Sequence, residues 1–243
     1  MTRRITANLY MTLDGRGVFP KYPGSDVSSD EADEFFRSFW TNRYSDVTTV
    51  VMGRRSFLGH RDTHSERARK PNDPKFMFEY SRFLDRVDKV CLSRTLKDTG
   101  WENSRIMKGD LSAIVKKLLR EKGGNIIIEG GPRLIQEVLR RDLADDYWFI
   151  LMPVVYGRGP RYWGTLKEQR TLKLLSASSL EWGEVLLHYA SRGRASDSPS
   201  EVQGPPRASA ACATSWAAVP PRRCPKKPHL PGPLPLRTVD SNT

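Results

Sequence analysis

The sequence predicts an α/β fold: a mixed, mostly parallel sheet of about eight strands, flanked by helices and closed by an antiparallel C-terminal edge. Three observations lead there. Strand-like and helix-like segments alternate up to about residue 141. One strand-like segment, "NIIIE", is apolar almost throughout, as strands buried on both faces of a parallel sheet are. The last three strand-like segments follow one another with no helix between them.

Each element has its own local signal. "RITANLYMTLDG" alternates Ile5, Ala7, Leu9, Met11 and Leu13 and closes in Asp14-Gly15, a strand running into a turn. "SSDEADEFFRSFWTNRY" carries Ser28 and Glu31 as a capping box, then Ala32, Phe35, Phe36, Phe39 and Trp40 on one helical face. "DVTTVVMG" is the next strand. A polar, irregular stretch near residues 60–75 precedes a helix from about Phe76 to Arg86, and "VDKVCLS" and "NSRIMKG" are strands. "DLSAIVKKLLREKGG" is an amphipathic helix with Leu111, Ile114, Val115, Leu118 and Leu119 on one side, Asp110 as its cap and Gly123 as its stop. "PRLIQEVLRR" begins with proline in the first helical turn, where the missing N–H costs nothing. "DYWFILMPVVYG", "RTLKLLSASSL" and "EVLLHYA" supply the late strands.

Composition sets the domain plan. The 243 residues are 38% hydrophobic, enough for one sizeable core, and a single folded domain is expected over residues 1–191. From Arg192 onward the chain holds ten of its seventeen prolines and no periodicity, so residues 192–243 are expected to be a disordered Pro/Arg-rich tail. That tail carries eight Lys/Arg against three Asp/Glu, a large share of the net charge of +12. It offers a PxxP ligand or a basic arm, but the rest of the chain shows no RNA-binding module or recognition-helix pattern, so nucleic acid is not the expected partner. No apolar run approaches the ~20 residues of a membrane span, and the start lacks a signal-peptide pattern; a cytoplasmic protein is expected. Cys91, Cys212 and Cys224 show no metal-ligand spacing, Cys91 reads as a small buried hydrophobe, and neither HExxH nor HxE with PCxxC occurs, so no metal is expected.

The chemistry-bearing residues collect at strand ends. "NIIIEGGPRLIQEV" passes from an apolar strand through Gly130-Gly131 into a helix, "VVMGRRSF" ends in Gly53-Arg54-Arg55-Ser56, and "VCLSRTL" ends in Ser93-Arg94-Thr95. A pyrophosphate is held by backbone N–H groups at helix starts, and a 2′-phosphate by Arg and Ser/Thr side chains. Three such ends can serve one dinucleotide. The Rossmann GxGxxG is absent after the first strand, so another fold would have to bind it.

Together with "MTLDG" and "VVYGRG", these segments resemble the dihydrofolate reductase-like superfamily, and within it the reductase domain of the bifunctional deaminase-reductase of riboflavin biosynthesis and its stand-alone bacterial relatives. The resemblance runs from about Ile5 to Tyr189. It implies NADPH as cofactor, with Gly130, Gly131, Pro132, Arg133 and Leu134 beside the pyrophosphate, Gly53, Arg54, Arg55 and Ser56 at the cofactor phosphates, and Ser93 and Arg94 at the adenosine ribose. Thr12 and Asp14 would lie by the nicotinamide and substrate, and Glu129 would contact the substrate. Two bland readings stay open: Asp14 as an Asp-Gly turn residue, and Glu129 as a polar strand end. The resemblance further implies a small-molecule substrate and a homodimer. Folate reductases carry a carboxylate on the first helix; Asp30, Glu31, Asp33 and Glu34 crowd that helix here, and Asp33 is the candidate beside Asp14 for a catalytic role. Arg16 and Lys21 are available for a substrate phosphate. The expected activity is NADPH-dependent hydride transfer to a pyrimidine- or pterin-like substrate; the resemblance implies 5-amino-6-(5-phosphoribosylamino)uracil as one candidate, and with no zinc deaminase motif in these residues the chain would run at most that reductase step. Dihydrofolate reduction is the enzymatic alternative and a non-catalytic nucleotide-binding homologue the other.

Overall fold

In this computed structural model the described residues are 3–18, 43–164, 166–167, 169–180 and 183–191. All belong to the first of the chain's two units, Met1–Glu201. The predicted helix after Ser28 as far as residue 42, with Asp33, the neighbouring Lys21, and the tail from Arg192 lie outside the described residues.

One sheet organises the fold. Strands β1 (Ile5–Thr12), β2 (Val47–Gly53), β3 (Asp88–Leu92), β4 (Ser104–Met107), β5 (Asn125–Glu129), β6 (Asp146–Met152), β7 (Leu172–Ser179) and β8 (Val185–Ser191) lie in the order β4-β3-β2-β5-β1-β6-β8-β7. Neighbours from β4 to β6 are parallel, while β8 runs antiparallel to both β6 and β7. The mixed sheet with an antiparallel C-terminal edge is therefore the one expected. Leu13 falls just past β1 and is exposed, so the apolar alternation stops at Met11.

Helices α1 (Arg54–His64), α2 (Lys75–Arg86), α3 (Leu111–Arg120) and α4 (Pro132–Arg140) cover the two faces. Because side chains alternate along a strand, β2, β3 and β5 supply both cores at once, while β1 and β6 feed the first. Ile5, Ala7, Leu9, Val51, Ile126, Ile128, Tyr147 and Phe149 pack with Ile114, Val115 and Leu118 of α3 and Ile135 and Val138 of α4. On the other face Val50, Met52, Cys91 and Ile127 pack with Phe57 of α1 and Tyr80 and Leu84 of α2. Cys91 is a free, buried thiol, in keeping with its reading as a small hydrophobe. Asp110 caps α3 as expected, accepting from the N–H groups of Ser112 and Ala113, and Gly123 beyond it has φ +145°. Helix α1 corrects the expectation of an irregular stretch after residue 60: it continues to His64 with Phe57 as its buried residue. Among the described residues, no helix is long and apolar enough to cross a membrane.

Buried charge finishes the helix ends. Lys89 of β3 is fully buried, and its Nζ donates to the carbonyls of Leu84 at 2.6 Å and Val87 at 3.0 Å, closing the C-terminus of α2. It also lies 4.8 Å above the Trp101 ring. Arg3 does the same for α3, donating to the carbonyls of Leu118 at 2.8 Å and Gly124 at 2.6 Å. Lys89→Met keeps the volume but leaves those carbonyls without a donor, so a loss of about 3 kcal/mol in urea unfolding is expected. An unchanged midpoint would mean that the Lys89 ammonium contributes nothing net.

Candidate active site

The parallel strands carry all their outgoing turns to one edge of the sheet. There β2 and β5 are neighbours, with Met52 opposite Glu129. Their following helices leave on opposite faces: Phe57 of α1 enters one core and Ile135 of α4 the other. Adjacent strands whose connections diverge open a crevice beyond their carboxyl ends, the place where open α/β sheets bind ligands.

Both helices present bare N-termini to it. Gly53 and Gly131 are the N-cap residues of α1 and α4, and neither helix has a side-chain cap or an acidic residue in its first turn. Unpaired N–H groups and the positive dipole end then face the crevice from both sides. A Cβ built on Gly130 would sit 3.1 Å from Leu134 Cδ2 and 3.6 Å from Ser56 Oγ, so the two turns meet there. Tyr162 fixes the turn from outside by donating its hydroxyl to the Gly130 carbonyl at 3.3 Å. Gly17 closes over Pro132, where a Cβ would come within 2.5 Å of the ring.

Beside the crevice is a cleft of about 460 Å³, lined by Gly53, Leu92, Arg94, Gly109, Arg133 and Leu134 among others. Arg141, also on its wall, is held by Asp110 and by Glu137 at 2.9 Å. Among the described residues, Arg94 and Arg133 are in no ion pair. Arg54 reaches across to donate to Thr95 Oγ1 at 2.7 Å, joining the β2 and β3 turns, while Arg55 is exposed. Ser93 Oγ accepts from the N–H groups of Thr95 at 3.3 Å and Leu96 at 2.9 Å, which fixes the loop that carries Arg94. The structure thus brings the residues expected at a cofactor to one edge. Their chemistry suits a dinucleotide phosphate chain: two helix starts, a glycine that leaves no side chain in the way, and two forked cations.

At the other side of Glu129 is a polar wall that the strand ends alone did not indicate. Glu129 is 6% exposed and accepts from Asn8 Nδ2 at 2.9 Å and from the Tyr44 hydroxyl. His60 of α1 places Nε2 3.6 Å from the remaining Glu129 oxygen and Nδ1 2.8 Å from the Ser56 carbonyl. Burial alone would raise the Glu129 carboxyl, but the bonds from His60, Tyr44 and Asn8 outweigh it and hold it well below its ordinary value. Burial works against charge on His60 too, yet the Glu129 carboxylate and the Ser56 carbonyl lift its pKa above the ordinary imidazole. Both ring nitrogens face acceptors, which only the imidazolium satisfies. His64, one turn on, is driven down to about 4 by burial and then by repulsion from His60 and Arg69, and is neutral at pH 7. Arg43 completes the wall, donating to Asn8 Oδ1 and lying 4.4 Å over the Trp148 ring.

Asp14 is placed differently from the expectation of a catalytic acid. Its carboxylate accepts from the Thr12 hydroxyl at 2.7 Å, the N–H groups of Tyr156 and Gly157 at 3.0 Å each, and Arg16 Nε at 3.1 Å. These bonds, led by that of Thr12, drive its pKa far down, so it has no proton to give near neutrality. Asp14 and Thr12 tie the β1 turn to the loop after β6. Arg16 is part of the same clamp, its guanidinium also donating to the carbonyls of Gly159 at 2.8 Å and Gly157 at 2.9 Å.

The sheet order defines a mixed, mostly parallel α/β fold of the dihydrofolate reductase-like kind. Residues 3–187 match the family described as the RibD C-terminal domain, and the chain belongs to that family. Among relatives, YyaP of Bacillus subtilis strain 168 is 28% identical over 188 residues, spanning 77% of this chain and 94% of that protein. YwjB of the same organism is 26% identical over 184 residues, 74% of this chain and 95% of its own; both are described as uncharacterized. The diaminohydroxyphosphoribosylaminopyrimidine deaminase/5-amino-6-(5-phosphoribosylamino)uracil reductase of Thermotoga maritima shares the fold with a TM-score of 0.52 at 16% identity, over 78% of this chain and 57% of that one.

Proposed function

We propose that the chain is an NADPH-dependent reductase acting on a pyrimidine- or pterin-like substrate, with 5-amino-6-(5-phosphoribosylamino)uracil as the first substrate to test. The observation that carries this reading is the crevice between β2 and β5: two bare helix N-termini and the Arg94–Arg133 cleft on one side of Glu129, and a buried polar wall on the other. Gly130, Gly131, Arg133 and Leu134 would hold the pyrophosphate with Gly53 and Ser56, and Arg94 the ribose and its 2′-phosphate. Bound there, the reduced nicotinamide supplies a hydride to an electrophilic C=N or C=O carbon. The protein's own part is to hold the two reactants in contact, exclude water and neutralise the nitrogen or oxygen that gains the electron pair.

The test is NADPH oxidation by the full chain with the ribosylaminopyrimidine phosphate and, separately, with dihydrofolate. Turnover with the first supports the reading. Methotrexate-sensitive turnover with dihydrofolate alone transfers the activity to folate reduction, and NADPH binding without oxidation of either makes the chain a nucleotide-binding homologue. Asp14→Asn is expected to raise KM by loosening the clamp while the kcat–pH profile keeps its shape. Loss of one limb of that profile would restore Asp14 as the proton source.

A further inference from the structure

The reading above leaves the origin of the proton open, because Asp14 is committed to its clamp. We propose that His60 is the proton reservoir of the site, acting through Glu129: the proton on His60 Nε2, which faces Glu129 Oε2 at 3.6 Å, neutralises the substrate atom that receives the electron pair. This role rests on the reductase reading.

The geometry carries it. Glu129 immediately precedes the Gly130–Gly131 turn, so its carboxylate stands at the junction of the crevice and the polar wall. Asn8 and Tyr44 occupy one of its oxygens, and His60 faces the other. The Ser56 carbonyl, 2.8 Å from Nδ1, fixes the ring orientation so that Nε2 points at the carboxylate. The side chain of His60 keeps 25% of its surface exposed where that of Glu129 keeps 8%, which makes the histidine the member of the pair in touch with solvent. The groups around them are His64 on the same helix, Tyr44 and Arg43 before β2, Tyr10 on β1 and Tyr80 on α2. His64 is neutral and the three tyrosines hold their protons through burial, while Arg43 is tied to Asn8 and the Trp148 ring. His60 is thus the group of this wall that gives and regains a proton near neutral pH.

The balance is simple. Two-electron reduction of C=N or C=O forms one C–H bond, the π pair moves to nitrogen or oxygen, and one proton forms the N–H or O–H bond. As that atom becomes basic, His60 Nε2 releases its proton to the Glu129 carboxylate, and the carboxyl so formed passes it on, leaving Glu129 ionised again. His60 is left neutral and recovers a proton from water.

Two measurements on the full chain test this. In an NMR titration of the histidine rings, assigned with His60→Gln, His60 should titrate above an ordinary imidazole and fall by about one unit or more in Glu129→Gln. An unperturbed His60, indifferent to Glu129→Gln, overturns the pairing without reference to turnover. In NADPH oxidation with 5-amino-6-(5-phosphoribosylamino)uracil, wild type should lose kcat as pH rises past the His60 value. His60→Gln, which keeps a hydrogen-bond donor but no titrating proton, should lower kcat about 10- to 100-fold and abolish that basic limb, with NADPH affinity unchanged. Wild-type kcat and profile in His60→Gln overturn the role of His60 alone. Failure of wild type to bind or oxidise NADPH overturns the reductase reading and this role with it.

Discussion

Glu129→Gln should lower kcat by about 10²- to 10³-fold while NADPH affinity stays within a few-fold. The amide keeps the shape of the carboxylate, but it cannot be the ionised acceptor that His60, Tyr44 and Asn8 surround. Turnover therefore suffers more than binding. The substitution also has a stability signature whose sign is fixed. Glu129 has a lowered carboxyl, so its contribution is present above the ordinary 4.5 and is lost as pH falls toward its folded value. His60 is raised, so its contribution is complete below the ordinary 6.5 and is lost as pH rises through its folded value. Both contributions coexist between those two limits. The loss on Glu129→Gln should reach about 2 kcal/mol there and shrink on either side, kept modest because His60 can give up its proton to water. Urea unfolding at a series of pH values reads it, and a loss independent of pH would mean that shape rather than charge pairing matters at Glu129.

Arg94→Ala is expected to raise the Kd for NADPH by about one to two decades, the worth of one charge-assisted contact. The same change should leave NADH nearly untouched, since the contact assigned to Arg94 includes the 2′-phosphate that NADH lacks. Arg133→Ala, in the first turn of α4 at the pyrophosphate position, should weaken both dinucleotides alike. Arg141 on the same cleft wall is the control: held by Asp110 and Glu137, it should matter little when replaced. Isothermal titration with both cofactors separates these outcomes. Equal losses for NADPH and NADH in Arg94→Ala would move the 2′-phosphate elsewhere.

What could be read in the sequence follows from how local each signal is. The strands were legible because apolar residues fill β5 and alternate in β1, and the turns because Gly-Gly-Pro and Gly-Arg-Arg-Ser follow strands directly. Helix α1 was not legible as far as His64: Phe57 is its buried residue, Gly59 sits in its middle, and so the apolar period is too sparse to mark it. His60 was lost with that helix, although Ser56 and His60 are one turn apart once it is drawn. Asn8, Tyr44, His60 and Glu129 come from four separate segments, and no spacing in the chain announces that they meet. Asn8 could be placed opposite Ile5, Ala7 and Leu9 by alternation, but not recognised as buried. At Asp14 the Asp-Gly turn could be read from the sequence, but its carboxylate's partners, Thr12, Arg16 and the backbone of Tyr156 and Gly157, could not.

The most direct test of the account is titration of the full chain with NADPH, followed by nicotinamide fluorescence, because every assigned role depends on that ligand lying in the crevice between β2 and β5. Saturable binding with a Kd of about 1–100 μM, tighter than for NADH and weakened by Arg94→Ala, is the predicted result. No saturable change up to about millimolar NADPH, or binding indifferent to both Arg94→Ala and Arg133→Ala, would contradict it.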